Sequence, residues 1–261
     1  MTHWILLRGL TREARHWGDF PEQLAAVPGV SGVRTLDLPG NGRRWREKSP
    51  AGISSIVEDC RARLGPTENR QPPHCLLAMS LGAMVATEWL FRHPEEIETA
   101  VLINTSMRPL GWPHERLRPR NAPALLGLLR NWHDAGAAER RILSMTSKKE
   151  LGSAELVDHW GKLRYECPVS RMNALRQLLA AARYRLPPGA APVPVLLLSS
   201  AQDGLVDSRC SARLAARWGC RHEVHAEAGH DLPLDDPRWV LARIREWLDC
   251  LARRQGAVQR P

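Results

Sequence analysis

Short apolar runs occupy residues 4–7, 33–38, 75–79 and 101–104, and stretches of helical periodicity lie between them at 20–27, 52–64 and 83–92. Apolar strands separated by amphipathic helices predict a parallel sheet covered on both faces. After Asn104 the alternation stops. From 107 to 188 only helical periodicity remains, at 122–132, 137–145, 153–163 and 170–184. It then resumes with an apolar run at 193–199, a helix at 208–218, a strand near 222–226 and a closing helix at 237–254, for which Asp236 is the expected cap and Pro237 a suitable first-turn residue. The pattern therefore predicts an α/β core made of 1–106 and 189–261, interrupted by a helical insertion at 107–188. The Pro-rich stretch 187–192 reads as the return linker.

Length and charge refine this picture. At 261 residues, one large α/β domain with an insertion is the natural size class. No apolar run approaches the roughly 18 residues needed to span a bilayer, and residues 1–10 do not read as a secretory leader, so a cytoplasmic protein is expected. The six cysteines, Cys60, Cys75, Cys167, Cys210, Cys220 and Cys250, lie far apart with no metal-ligand spacing, which favours inert thiols over a disulfide or metal site. The net charge of +9 is uneven: residues 107–185 hold 15 basic and 7 acidic residues, or +8 of that total. Such a segment either presents a field to an anionic partner or simply solvates helix faces. Only two Tyr and two Phe are present and no nucleic-acid motif is evident, so a nucleic-acid partner is not expected.

The chemistry concentrates at the ends of the apolar runs. Ala78-Met79-Ser80-Leu81-Gly82 follows the third run and opens a helical pattern. A serine flanked at two residues on either side by small side chains, between strand and helix, is the setting of a nucleophile elbow, with a helix-capping serine as the lesser alternative. A serine hydroxyl needs a base, and the base an orienting carboxylate, expected in the order Ser, acid, His. Asp203 follows the strongest apolar run, and His230 follows the last strand in a glycine-containing loop. Asp207 is the rival acid but stands where it would cap 208–218; His222 and His225 are rival bases but fall inside a strand pattern. Backbone N–H groups of Leu81 and Leu10 are the candidate oxyanion donors, Leu10 because it follows Gly9 in the loop after the first strand.

With these residues in view, the chain resembles the α/β-hydrolase superfamily of serine hydrolases, most closely the branch of small carboxylesterases that includes pimeloyl-carrier-protein methyl ester esterases. The resemblance rests on 36–42, on the Ser80 elbow with His93-Pro94-Glu95, and on 229–237 around His230. It implies a mostly parallel sheet of about six strands with a helical lid at 107–188. It also implies hydrolysis of a carboxylic ester or thioester, without cofactor or metal, by Ser80, Asp203 and His230. The family usually carries His-Gly where this chain has Arg8-Gly9, and two further strands ahead of its first one. A lyase or acyl transferase would use the same triad, and a binding protein on the same fold is the non-catalytic alternative. The expected partner is a small acyl ester or thioester; the basic lid adds the further expectation of an acidic acyl carrier, with Arg116, Arg118, Arg120, Arg140, Arg141, Lys148 and Lys149 as its contacts.

Overall fold

The computed structural model describes residues 2–65 and 73–258, with side chains to 253. Six strands form one sheet: β1 (Thr2–Leu7), β2 (Val30–Leu36), β3 (His74–Met79), β4 (Ile97–Ile103), β5 (Val195–Ser200) and β6 (Arg221–His225), in the order β2-β1-β3-β4-β5-β6. Every pairing is parallel. Alternate residues of the central strands feed two cores, as a pleat requires. Ile5, Leu7, Leu76, Ala78, Leu102 and Leu197 pack on one face against α2 (Ile53–Arg63), α3 (Leu81–Arg92) and α9 (Arg209–Trp218). Trp4, Leu6, Leu77, Val101, Leu196 and Leu198 pack on the other against α1 (Phe20–Ala25) and α11 (Pro237–Val258).

Where the strands differ from expectation, polar residues are the cause. β4 begins at Ile97 rather than 101 because Glu98 points to solvent and the hydroxyl of buried Thr99 donates to the Pro194 carbonyl at 2.9 Å. β2 and β6 are the two edges of the sheet, half-exposed, and their mixed composition follows from having only one paired side. Two one-turn helices escape a periodicity argument, α4 (Pro113–Arg116) and α10 (Leu232–Asp235), being too short to show a period.

Between β4 and β5 the chain forms α4, α5 (Ala122–Arg130), α6 (Ala135–Thr146), α7 (Ala154–Glu166) and α8 (Arg171–Arg183). Asp134, Ser153 and Ser170 cap α6, α7 and α8 through their side chains. The segment has a small core of its own, Leu143, Val157, Trp160 and Leu163. Its two ends meet where Arg108 and Arg185 form an isolated bridge and the Leu186 N–H donates to the Arg108 carbonyl at 2.7 Å.

Strand order reverses between β1 and β3, so the loops leaving these two neighbours diverge and open a crevice at the carboxyl end of the sheet. The backbone there is crowded. A Cβ on Gly82 would stand 2.5 Å from the Leu7 carbonyl oxygen and 2.6 Å from that of Arg8, so only glycine lets α3 start this close to β1. Gly82→Ala is therefore expected to lower stability by about 1–3 kcal/mol in urea denaturation. An unchanged midpoint would mean that the β1 loop can withdraw at no cost.

Candidate active site

Ser80 occupies the turn between β3 and α3 with φ 54° and ψ −118°, a left-handed conformation that a side-chain-bearing residue adopts only under constraint. Four hydrogen bonds of its backbone hold it: Ser80 N–H donates to the Ile103 carbonyl (2.9 Å), and the Ser80 carbonyl accepts from the Thr105 hydroxyl (3.2 Å) and from the Ala83 and Met84 N–H groups (3.1 and 3.3 Å). Gly9 lies against the serine, where an added Cβ would sit 3.1 Å from the Ser80 Cβ. Leu81 opens α3, so its N–H has no intrahelical acceptor. Leu10 follows Gly9, and both Leu10 and Leu81 line the same cavity as Ser80.

The structure brings Asp203 and His230 together. The His230 Nδ1 is 2.7 Å from Asp203 Oδ2, and both side chains are buried. The other carboxylate oxygen, Oδ1, accepts from the Leu205 and Val206 N–H groups at 2.8 and 2.9 Å, which fixes the plane of the carboxylate. Donation from Nδ1 leaves Nε2 as the basic ring nitrogen, and His230 lines the cavity that Ser80 lines. Burial acts to lower the His230 pKa, but the charge of Asp203 and its hydrogen bond outweigh burial. Asp231 adds to them, Arg8 opposes, and the imidazole ends above its ordinary value.

The rivals have other partners. Asp207 accepts from the Arg209 N–H at 3.0 Å and from its guanidinium at 2.8 Å, contacts that pull its pKa down to about 2. His222 pairs with Ser199 along the sheet at 2.8 Å. The Nδ1 of His225 accepts from the Glu227 and Ala228 N–H groups, so its Nε2 carries the proton toward Asp236. Asp236 also receives the Trp239 N–H at 3.1 Å, the cap expected for α11.

Two features were not foreseen. Arg8, 2% exposed, forms a two-point ion pair with Asp231, Nη1 to Oδ1 at 3.0 Å and Nη2 to Oδ2 at 2.5 Å, with its guanidinium over the Trp17 ring at 4.7 Å. This pair joins the loop after β1 to the residue next to His230. The only sequence signal was a charge at the end of an apolar strand. Asn104, with φ 46°, donates to the His230 carbonyl at 2.8 Å and to the Ser200 hydroxyl at 3.1 Å, while its Oδ1 accepts the Ser200 N–H at 2.9 Å. It ties the ends of β4 and β5 to the histidine loop.

These groups face a cavity of about 310 Å³ whose further walls come from the helices between β4 and β5: Leu125, Leu128, Ile142, Leu175 and Leu178, with Met84 from α3. Most of the lining is apolar, which suits an acyl chain or similar group, while Arg8, Arg12, Arg116 and Arg171 also border the cavity. Among the described residues, one group has metal-ligand proximity, His93, Glu95 and Glu96, but none of the three lines this cavity and His93 already pairs with Glu58 at 3.0 Å.

Comparison with known proteins identifies the family and the fold. The profile of the alpha/beta hydrolase family matches residues 4–243. A pimeloyl-[acyl-carrier protein] methyl ester esterase of Chromobacterium violaceum is 27% identical over 181 residues; the alignment spans 66% of each chain, just under two thirds of the relative's length. Among solved structures, an enol-lactonase from Burkholderia xenovorans superposes with a TM-score of 0.75 at 21% identity, over 95% of this chain and 92% of that one. A thermophilic esterase from Thermogutta terrifontis gives 0.70 at 18% identity, over 95% and 90%. At such identities the likeness is one of fold.

The Arg8–Asp231 pair yields a direct expectation. Removing one partner of a buried, two-point ion pair strands the other charge, so Asp231→Asn should destabilise the protein by about 3–5 kcal/mol in chemical denaturation. A loss below about 1 kcal/mol would show that Arg8 finds water or another acceptor.

Proposed function

The chain belongs to the alpha/beta hydrolase family, and from that membership we propose that it is a serine hydrolase cleaving a carboxylic ester or thioester through an acyl-enzyme intermediate. The observation that carries the reading is that Ser80 and His230 line one cavity, with Asp203 hydrogen-bonded to the imidazole behind it. Ester-hydrolysing relatives support it as a class.

In this mechanism the Ser80 Oγ attacks the carbonyl carbon of the ester while His230 Nε2 takes the hydroxyl proton. Asp203 holds the imidazole in the tautomer that leaves Nε2 free and stabilises the imidazolium that forms. The carbonyl oxygen, now an oxyanion, receives the Leu10 and Leu81 N–H groups; one such donor is worth about 3–4 kcal/mol of transition-state stabilisation. Collapse breaks the bond to the alcohol or thiol, which leaves with the proton from His230. Water, deprotonated by the same nitrogen, then attacks the acyl group, releasing the carboxylic acid and returning the proton to Ser80. The aliphatic walls hold the acyl part, and residues 107–188 act as the lid that contributes most of them.

An acidic acyl carrier as the donor of the acyl group is a second reading, favoured by what the Chromobacterium relative is named to act on. Of the basic residues that would attract it, Arg116 donates to the Ala181 and Ala182 carbonyls and Arg118 pairs with Asp207 at 3.5 Å, so Arg120, Arg140, Arg141 and Lys148 would supply most of the field. Lys149 pairs with Asp236 at 3.2 Å.

Ser80→Ala is expected to abolish labelling by a fluorophosphonate and to lower kcat by orders of magnitude with the fold intact. Asp203→Asn should lower kcat by about 10³–10⁴-fold through the wrong histidine tautomer, whereas Asp207→Asn should leave turnover largely unchanged. Because only neutral His230 can act as base and its pKa is raised, kcat/KM should climb with pH and reach half its plateau above the ordinary histidine value. In Asp203→Asn, residual activity should show that limb moved to lower pH. Turnover retained by Ser80→Ala, or by Asp203→Asn but not Asp207→Asn, would reject these roles.

A further inference from the structure

Helix α5 has the composition of a buried helix and the exposure of a surface one. Seven of its nine residues are Ala, Pro or Leu, yet none is buried. Leu126 is 50% exposed and Leu129 53%. Helix α8 buries Asn173, Gln177 and Ala180 but also exposes apolar side chains, Met172 at 54% and Leu175 at 57%. Leu129 and Leu175 also line the cavity that holds Ser80, so the apolar wall of the site continues without a break onto the outer surface. Leu126 and Met172, three residues before Leu129 and Leu175 in their helices, extend that surface beyond the cavity.

The two helices that form this surface carry charge of one sign. Neither α5 nor α8 contains an acidic residue, while Arg130 ends the first and Arg171, Arg176 and Arg183 punctuate the second. Among the described residues, no ion pair engages these four arginines. Exposed aliphatic side chains bordered by unpaired cations match the two layers of an anionic lipid surface, acyl chains below and negative headgroups above. A second copy of the chain would bring these arginines against their own equivalents. An acidic carrier protein would satisfy the arginines but leave the leucines in water.

We propose that the α5–α8 face docks the protein on anionic lipid surfaces, with the mouth of the Ser80 cavity turned toward the lipid. The proposal rests on the acyl-hydrolase reading for what the surface delivers: an ester dissolved in the lipid would enter between Leu129 and Leu175 without crossing water. Docking itself needs no turnover, so the two are tested separately.

The test is co-flotation of the Ser80→Ala protein with vesicles of phosphatidylcholine alone or mixed with phosphatidylglycerol. Binding is expected to the mixed vesicles and to be weaker to the zwitterionic ones. The added pair Leu126→Glu and Met172→Glu, neither residue lining the cavity, should weaken that binding by at least about tenfold. The same pair in the otherwise intact enzyme should leave hydrolysis of a short soluble ester unchanged, which also shows that the fold has survived. Absence of binding, or equal binding by the doubly substituted protein, would overturn the proposal. So would binding to an acidic acyl carrier protein that depends on Leu126 and Met172 when vesicles are not bound, an outcome that would assign the face to the carrier. If vesicles bind as expected while no ester is turned over by the wild type, the docking surface stands and the hydrolase reading falls.

Discussion

The hydrogen bond between Asp203 and His230 is the interaction on which the rest of the site depends. Burial alone would lower the His230 pKa and leave the ring without a fixed tautomer; the Asp203 carboxylate fixes the ring and raises the pKa instead. The carboxylate in turn is held by two backbone N–H groups of its own loop, so the order runs from backbone to Asp203 to His230. Nothing in that chain of contacts depends on a long flexible side chain, which keeps the entropy of ordering small.

A parallel sheet makes this possible because its loops leave at one edge. The Ser80 turn, the Gly9 loop, the Asp203 loop and the His230 loop follow β3, β1, β5 and β6 respectively, and β1 and β3 are neighbours at the strand-order reversal. Gly82 sets how near the serine turn comes to the Gly9 loop, and the Arg8–Asp231 pair and Asn104 set where the histidine loop sits relative to both. A strained serine backbone is tolerated because β4 and the residues after it hold it by hydrogen bonds to Ile103 and Thr105.

Much of this was legible from residue order. Ser80, Asp203 and His230 stand in the loops after strands with small residues nearby, Ala78 and Gly82, Gly204, and Gly229 respectively, and an apolar strand in a parallel sheet leaves a recognisable run. The helical character of 107–188 was equally plain from periodicity. What the sequence withheld is of another kind. An ion pair between Arg8 and Asp231 spans 223 positions, and only the fold makes them neighbours. Asn104 looked like the last residue of a strand, whereas its left-handed backbone turns it into a brace between strands. Which leucines of α5 and α8 face the cavity depends on how those helices pack, and amphipathic periodicity gives a face without saying what it meets. The fate of the basic residues was hidden for the same reason, since Arg116 and Arg118 look like their exposed neighbours in sequence but find partners inside.

In the proposed mechanism the covalent intermediate is the point at which all these contacts act together, because it requires an activated serine, a correctly oriented base and donors for the oxyanion at once. Rapid-quench mass spectrometry with an activated ester addresses it directly. A stoichiometric burst of alcohol release, accompanied by an acyl mass increment mapped to the peptide containing Ser80, is the expected result. Steady release without a burst under conditions where deacylation is slow, or an increment mapped to any other residue, would contradict it.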